Sequence, residues 1–221
     1  MIDSKKIVIL LSGGLDSAVL LKQVISGGYK PIALSFDYGQ LHAQQELDRA
    51  RALAEREGVH WITRNIKTVF HGIVNPLLGD GTMPEGSYKE QLKGGELTTY
   101  IPNRNMIMIS IAAAHAIERQ AAIVGYAAHD GEIGKEVYSD CTVPFVTKMD
   151  SVLYTQGISL YAPFIKWDKA AIVQRGLDLG VDFSSTWSCY SPMNEKPCMK
   201  CGTCIDRAQA FDKLAVKDPL L

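Results

Sequence analysis

The chain carries no excess of either charge. Its 23 lysines and arginines face 24 aspartates and glutamates, a net charge of −1 over 221 residues. A large nucleic-acid footprint needs clustered Lys and Arg, so this balance argues against such a partner. Long apolar runs are also missing. The run after Lys6 is broken by Ser12 and two glycines, which makes it too short for a secretory signal. The longest apolar block, residues 106–117, contains Ser110 and His115 and falls short of a bilayer span. A cytoplasmic protein without membrane contact is expected. No Gly-x4-Gly-Lys-Ser/Thr stretch occurs, which excludes that type of phosphate loop. Nor does Gly-x-Gly-x-x-Gly: Gly79 and Gly81 come nearest, and Pro84 stands where the third glycine belongs.

What is present begins at residues 12–17, Ser-Gly-Gly-Leu-Asp-Ser. An apolar run at 7–11 reads as a buried strand before it, and a second at 18–25 as a short helix after it. Gly13 and Gly14 let the backbone turn tightly and present N–H groups outward. Ser12 and Ser17 add hydroxyl donors, and the helix N-terminus adds positive dipole. Together with Leu15 between them, these residues make either a seat for pyrophosphate or a plain strand-to-helix turn. Asp16 is a carboxylate in an anion site. It either holds Mg²⁺ or caps the helix.

The rest alternates strand and helix. Residues 31–37 and 60–66 read as strands around an amphipathic helix at 41–57, with Leu47, Ala50 and Ala54 on its inner face. His42, in that helix's first turn, reads as a surface or capping residue. Strand–helix alternation predicts an α/β fold with a Rossmann-like parallel sheet, whose ligands bind at the strands' C-terminal ends. Residues 75–100, with two prolines and five glycines, break the pattern and read as a lid or a plain mobile insertion. A helix at 105–119 follows, apolar nearly all round and so expected to be buried, with an asparagine capping its first turn. Arg104 at its mouth is either an ATP phosphate contact or a surface ion pair.

A strand at 121–126 leads into the polar stretch 127–141, the expected substrate-facing loop. Within it Asp130 and Asp140 are candidate acceptors for ring N–H donors, and His129 and Tyr138 candidates to stack on or bond to a ring. Cys141 is a nucleophile or a small packed residue. A helix marked by Phe145, Met149 and Val152 and a strand at 159–165 come next. Asp168 is expected to cap a further helix, with Lys169 in its first turn facing a bound anion.

Five cysteines are few, but three fall within seven residues: Cys198, Cys201 and Cys204, with Cys189 nine positions upstream. Such spacing speaks for a metal rather than disulfides. Four thiolates close a tetrahedral structural Zn²⁺ site, with an iron–sulfur cluster as the rival. The metal would pin a final helix, about 204–214, with Ile205, Ala208 and Phe211 on one face.

The loop 12–17 resembles that of the PP-loop ATP pyrophosphatases. With residues 36–40 and 102–105, Tyr138-x-Asp140-Cys141, the stretch 163–169, Cys189-Tyr190 and the terminal cysteines followed by Arg207, the whole chain resembles the 7-cyano-7-deazaguanine (preQ0) synthases. The resemblance implies a PP-loop ATP-binding domain at 1–180, a small zinc-binding helical appendix at 181–221, and a homodimer. It implies ATP and Mg²⁺ bound around residues 12–17, with Asp16, Arg104 and Lys169 catalytic. It also implies that 7-carboxy-7-deazaguanine and ammonia are joined through an adenylated carboxylate and an amide, which is then dehydrated to the nitrile. Three departures stand out: Tyr126-Ala127-Ala128 where the family has Cys-Glu after the glycine, Ser139 where it has Pro, and Asn103 where it has Gly. They leave open a ligase that stops at the amide or activates another carboxylate, or a non-catalytic ATP-binding partner.

Overall fold

The middle strand of the sheet is β1, Asp3–Leu10, and its side chains divide the protein into two cores. Ile7 and Ile9 face one layer and Val8 the other, as the period of two in a strand demands. The computed structural model describes residues 3–93, 97–129, 138–192 and 196–220. Four strands join β1: β2 (Lys30–Asp37), β3 (His60–Asn65), β4 (Ala121–Gly125) and β5 (Ser159–Tyr161). All pair in parallel, in the order β3-β2-β1-β4-β5. The direction of winding reverses between β1 and β4, so the crevice above their C-terminal ends is where a ligand fits.

Helices α1 (Leu15–Ser26) and α2 (Ala43–Arg56) pack on the Ile7/Ile9 face, with α6 (Lys169–Asp178) and α7 (Gly202–Lys213). Helices α4 (Arg104–Glu118) and α5 (Val143–Tyr154) cover the other face. Between β3 and α4, the short α3 (Tyr88–Lys93) and a turn at Pro76–Leu78 give residues 75–93 more order than a plain loop.

Several expectations need correction. Helix α1 starts at Leu15 with Gly14 as its N-cap, so Asp16 lies inside the first turn and does not cap. Helix α4 is not buried all round: Met106 and Ile117 lie on an outward face, because the sheet covers a helix from one side only. Asn103 stands at the N-cap of α4 without a side-chain capping bond. The buried stripe of α5 is Met149 and Leu153, with Val152 turned outward. Strand β5 ends at Tyr161, where its pairing with β4 runs out. His42 is 1 % exposed rather than on the surface, its ring 5.1 Å from that of Tyr190. In α7 the buried face holds Cys204, Arg207 and Phe211, while Ile205 and Ala208 are half-buried.

Candidate active site

The turn after β1 is built by two serines and two glycines. Ser17 Oγ donates to the Gly14 carbonyl at 3.0 Å and lies 3.2 Å from Ser12 Oγ; Ser12 Oγ accepts the Gly14 N–H at 3.2 Å. Gly13 has φ +81°, and a Cβ there would lie 2.4 Å from the Glu46 carbonyl oxygen. Both its conformation and its closeness to α2 therefore require glycine. On its other side the Gly13 carbonyl accepts the Trp187 N–H at 2.9 Å. The C-terminal segment thus fixes the loop from behind.

Lys169, the first residue of α6, meets the Asp16 carboxylate at 2.7 and 3.0 Å, and Asp206 of α7 at 3.5 Å. His129 Nε2 is 4.0 Å from Asp16. Burial opposes the Asp16 charge, but Lys169 and His129 outweigh it and hold the carboxyl below its usual range. Burial likewise opposes the Lys169 charge, and the two aspartates override it and raise its pKa. The expected capping of α6 by Asp168 is present, its carboxylate accepting the Ala171 N–H at 2.6 Å.

Two adjoining cavities open above the strand ends. One, of about 220 Å³, runs along Ser12, Gly14 and Ser17 to Leu34, Phe36 and Met108. The other, of about 630 Å³, is walled by Tyr88, Tyr138, His129 and Lys169. Asp16, Arg104, Tyr126 and Tyr190 line both, so they form the shared wall. Arg104 lies over the Tyr38 ring at 5.4 Å and donates Nη1 to Tyr38 Oη at 3.2 Å. Burial pushes the Tyr38 phenol up to about 12, so it stays a neutral hydroxyl beside the cation. Asn103 just before it has φ +56°, in the left-handed region. That explains why asparagine replaces glycine here, since Asn tolerates this conformation better than most residues.

The residues expected to read a substrate ring separate. Tyr138 lines the larger cavity, with its hydroxyl 2.8 Å from Thr99 Oγ1. Asp140 is 5 % exposed and its carboxylate accepts the Asn105 N–H at 3.4 Å, which ties it to the start of α4 behind the cavity. Asp130 lies outside the described residues. Cys141 lines the cavity, but burial and then Asp140 push its thiol up to about 12, which does not suit a nucleophile. Sequence reasoning missed Asp206, Trp187 and the wall tyrosine Tyr88, and named Tyr190 only as part of the resemblance. Each acts across a gap in sequence that no local pattern marks.

Cys189, Cys198, Cys201 and Cys204 bring their sulfurs within 4.8 Å of one another. Tetrahedral zinc at ~2.3 Å from each sulfur wants sulfurs about 3.8 Å apart, so the set fits such an ion. Backbone N–H groups of Cys198, Lys200 and Cys201 point at the Cys189 and Cys198 sulfurs, at 3.2–3.4 Å.

The family described as queuosine biosynthesis protein QueC matches residues 6–215. A 7-cyano-7-deazaguanine synthase of Archaeoglobus fulgidus is 41 % identical over 222 residues, spanning 98 % of this chain and 90 % of its own. The corresponding protein of Psychromonas ingrahamii is 37 % identical over 228 residues, spanning 98 % and 97 %. Among solved structures, NMN synthetase from Francisella tularensis superposes with a TM-score of 0.52 at 17 % identity, over 97 % of this chain and 74 % of that one, a likeness of fold alone. The expected α/β fold with a parallel sheet and a C-terminal cysteine cluster is borne out. Matched in sequence from its first strand to its last helix, the chain belongs to the queuosine biosynthesis QueC family.

Proposed function

We propose that this protein is an ATP-dependent carbon–nitrogen ligase that makes 7-cyano-7-deazaguanine from 7-carboxy-7-deazaguanine and ammonia. The supporting observation is the wall shared by the two cavities, where Asp16 and Arg104 stand with Lys169 beside Asp16. A nucleotide in the smaller cavity and a ring carboxylate in the larger one meet there. The readings as an amide-forming ligase or a non-catalytic partner are not favoured, because the named relatives are nitrile-forming synthases.

A carboxylate is a poor electrophile until one oxygen becomes a leaving group. Its oxygen attacks the α-phosphorus of ATP and pyrophosphate departs. We assign residues 12–17 to hold that pyrophosphate, with Ser12, Gly14 and Ser17 lining the smaller cavity, and Lys169 and Arg104 to offset its charge. Ammonia then adds to the acyl carbon and AMP leaves, giving the amide. A second adenylation, on the amide oxygen, lets AMP and a proton leave to form the nitrile. Asp16, a hard oxygen donor that lines both cavities and is paired with Lys169, would hold a magnesium ion. That ion would supply charge neutralisation on the phosphates.

Tyr138 and Asp130 are assigned to ring recognition, with Asp140 supporting the start of α4. The cysteines are assigned one structural zinc, which leaves no open position for chemistry. We assign residues 1–180 to the ATP-binding unit and 181–221 to the zinc-bearing appendix of a cytoplasmic homodimer. Mass spectrometry of the purified protein with ATP, ammonium and the carboxy-deazaguanine tests the assignment. Nitrile and AMP are expected; amide as the final product, or no AMP, would overturn it.

A further inference from the structure

The larger cavity has a tyrosine, Tyr88, that no sequence motif marks. Tyr88 comes from the insertion at 75–100, far in sequence from the loop 12–17, the start of α4 and Tyr138. Two contacts set its position, both with the cysteine knuckle. Residues Glu85 and Cys201 pair as an isolated antiparallel bridge, and the Gly86 N–H donates to the Lys200 carbonyl at 2.9 Å. The ring then lies on Gly202, where an added Cβ would come within 2.8 Å of Tyr88 Cε1. The Gly202 backbone does not have a positive φ, so it is the ring that leaves no room for a side chain.

The wall tyrosines differ in what their rings meet, although the Tyr88 hydroxyl also bonds to Tyr190 and Tyr138. Tyr138 stacks on Tyr100 at 6.3 Å and bonds Thr99. Tyr126 is 7 % exposed and donates its hydroxyl to the Asp140 carbonyl at 3.1 Å. Tyr190 packs on His42. Tyr88 meets Tyr138 edge-on, at 6.1 Å and 81°, and among the described residues no ring stacks on its face. It is half-buried and lines the same cavity as Asp16 and Lys169.

We infer that Tyr88 is the stacking platform for the substrate's planar bicyclic ring, and that the cysteine knuckle sets its position through Gly202. The inference rests on the function proposed above and names the residue that selects its ring substrate. A rigid aromatic face held from two sides loses little freedom on binding, and base–aromatic stacking contributes ~1–3 kcal/mol.

Calorimetric titration with 7-carboxy-7-deazaguanine and, separately, with ATP tests it on the metal-loaded full chain. Tyr88→Ala is expected to weaken deazaguanine binding by tenfold or more, while ATP affinity, metal content and the circular dichroism spectrum stay as in the wild type. Tyr88→Phe should keep binding within about threefold, since it keeps the face. Gly202→Ala, which displaces the ring without removing it, should weaken the deazaguanine in the same direction. Unchanged deazaguanine affinity in Tyr88→Ala overturns the inference and leaves the function standing, as does a loss confined to ATP, which would make Tyr88 an adenine platform. Should Tyr88→Ala prove misfolded, Tyr88→Leu and Gly202→Ala carry the same expectation, and normal binding in both overturns the inference. A wild-type protein that binds ATP but no deazaguanine would overturn the function, and this inference with it.

Discussion

Lys169 Nζ closes on both oxygens of Asp16, at 2.7 and 3.0 Å, across 153 residues of sequence. One partner comes from the first turn of α1 and the other from the first residue of α6. The pair therefore joins the turn after β1 to the helix after β5, across the point where the sheet changes direction. It also places a cation beside the only hard anion on the wall shared by the two cavities among the residues that line both.

Removal of either partner should stop the chemistry before it stops folding. Asp16→Asn and Lys169→Ala are each expected to lower AMP release by about 10²–10³-fold, the usual cost of one charge-stabilising group. The circular dichroism spectrum should remain that of the wild type. Normal AMP release from either variant would remove that residue from the catalytic set.

The same pair has a pH signature. The Asp16 pKa is lowered from 3.8, so its contribution to stability is full above 3.8 and fades as pH falls through the lower folded value. The Lys169 pKa is raised from 10.5, so its contribution is full below 10.5 and fades as pH climbs through the higher folded value. Urea unfolding at pH 7 and pH 3, for the wild type and for Asp16→Asn/Lys169→Met, reads this directly. The double variant should lose less stability on acidification. Equal losses would mean that the pair does not contribute.

Cys141 should be inert at ordinary pH. A thiol pushed from 9.0 to about 12 has roughly 10³-fold less thiolate at a given pH below 9. Iodoacetamide at pH 8 followed by peptide mass spectrometry is expected to leave Cys141 unmodified in the folded protein and to label it in urea. Rapid labelling of the folded protein would contradict the half-buried, Asp140-flanked environment.

The metal should be a folding element. Zinc analysis is expected to give one ion per chain, and Cys201→Ser to lose it together with the order of residues 181–221, because ligand binding and folding are one equilibrium in such sites. Protease digestion would then cut first in that segment. Iron with sulfide, or a stable protein without metal, would refute the zinc assignment.

Arg207 closes the C-terminal segment from inside. Its Nε and Nη2 donate to the two Asp218 oxygens at 2.6 and 2.9 Å, and Nη1 and Nη2 reach Thr186 Oγ1 at 2.7 Å and the Phe183 carbonyl at 2.9 Å. Both members of the ion pair are 3–5 % exposed. Arg207→Ala should therefore cost about 3–5 kcal/mol in urea unfolding, because Asp218 is left buried and unpaired. Adding Asp218→Asn should recover part of the loss. An Arg207→Ala protein within 1 kcal/mol of the wild type would show that the network is solvated in solution.

The sequence by itself determined the elements and the two local motifs. Strand and helix periods show through because each element buries one face, and the run Ser12 to Ser17 shows through because glycines and hydroxyls have to be contiguous to wrap phosphate. The cysteines are legible for the same reason: ligands of one ion must cluster. Only the tertiary structure decided what the cavities are. It brought Lys169 to both Asp16 and Asp206, set Asp140 behind the wall rather than on it, and carried Tyr88 onto Gly202. Those contacts come from where crossovers and insertions land on the sheet. That is fixed by packing between distant segments, which leaves no period, spacing or composition at any one of them.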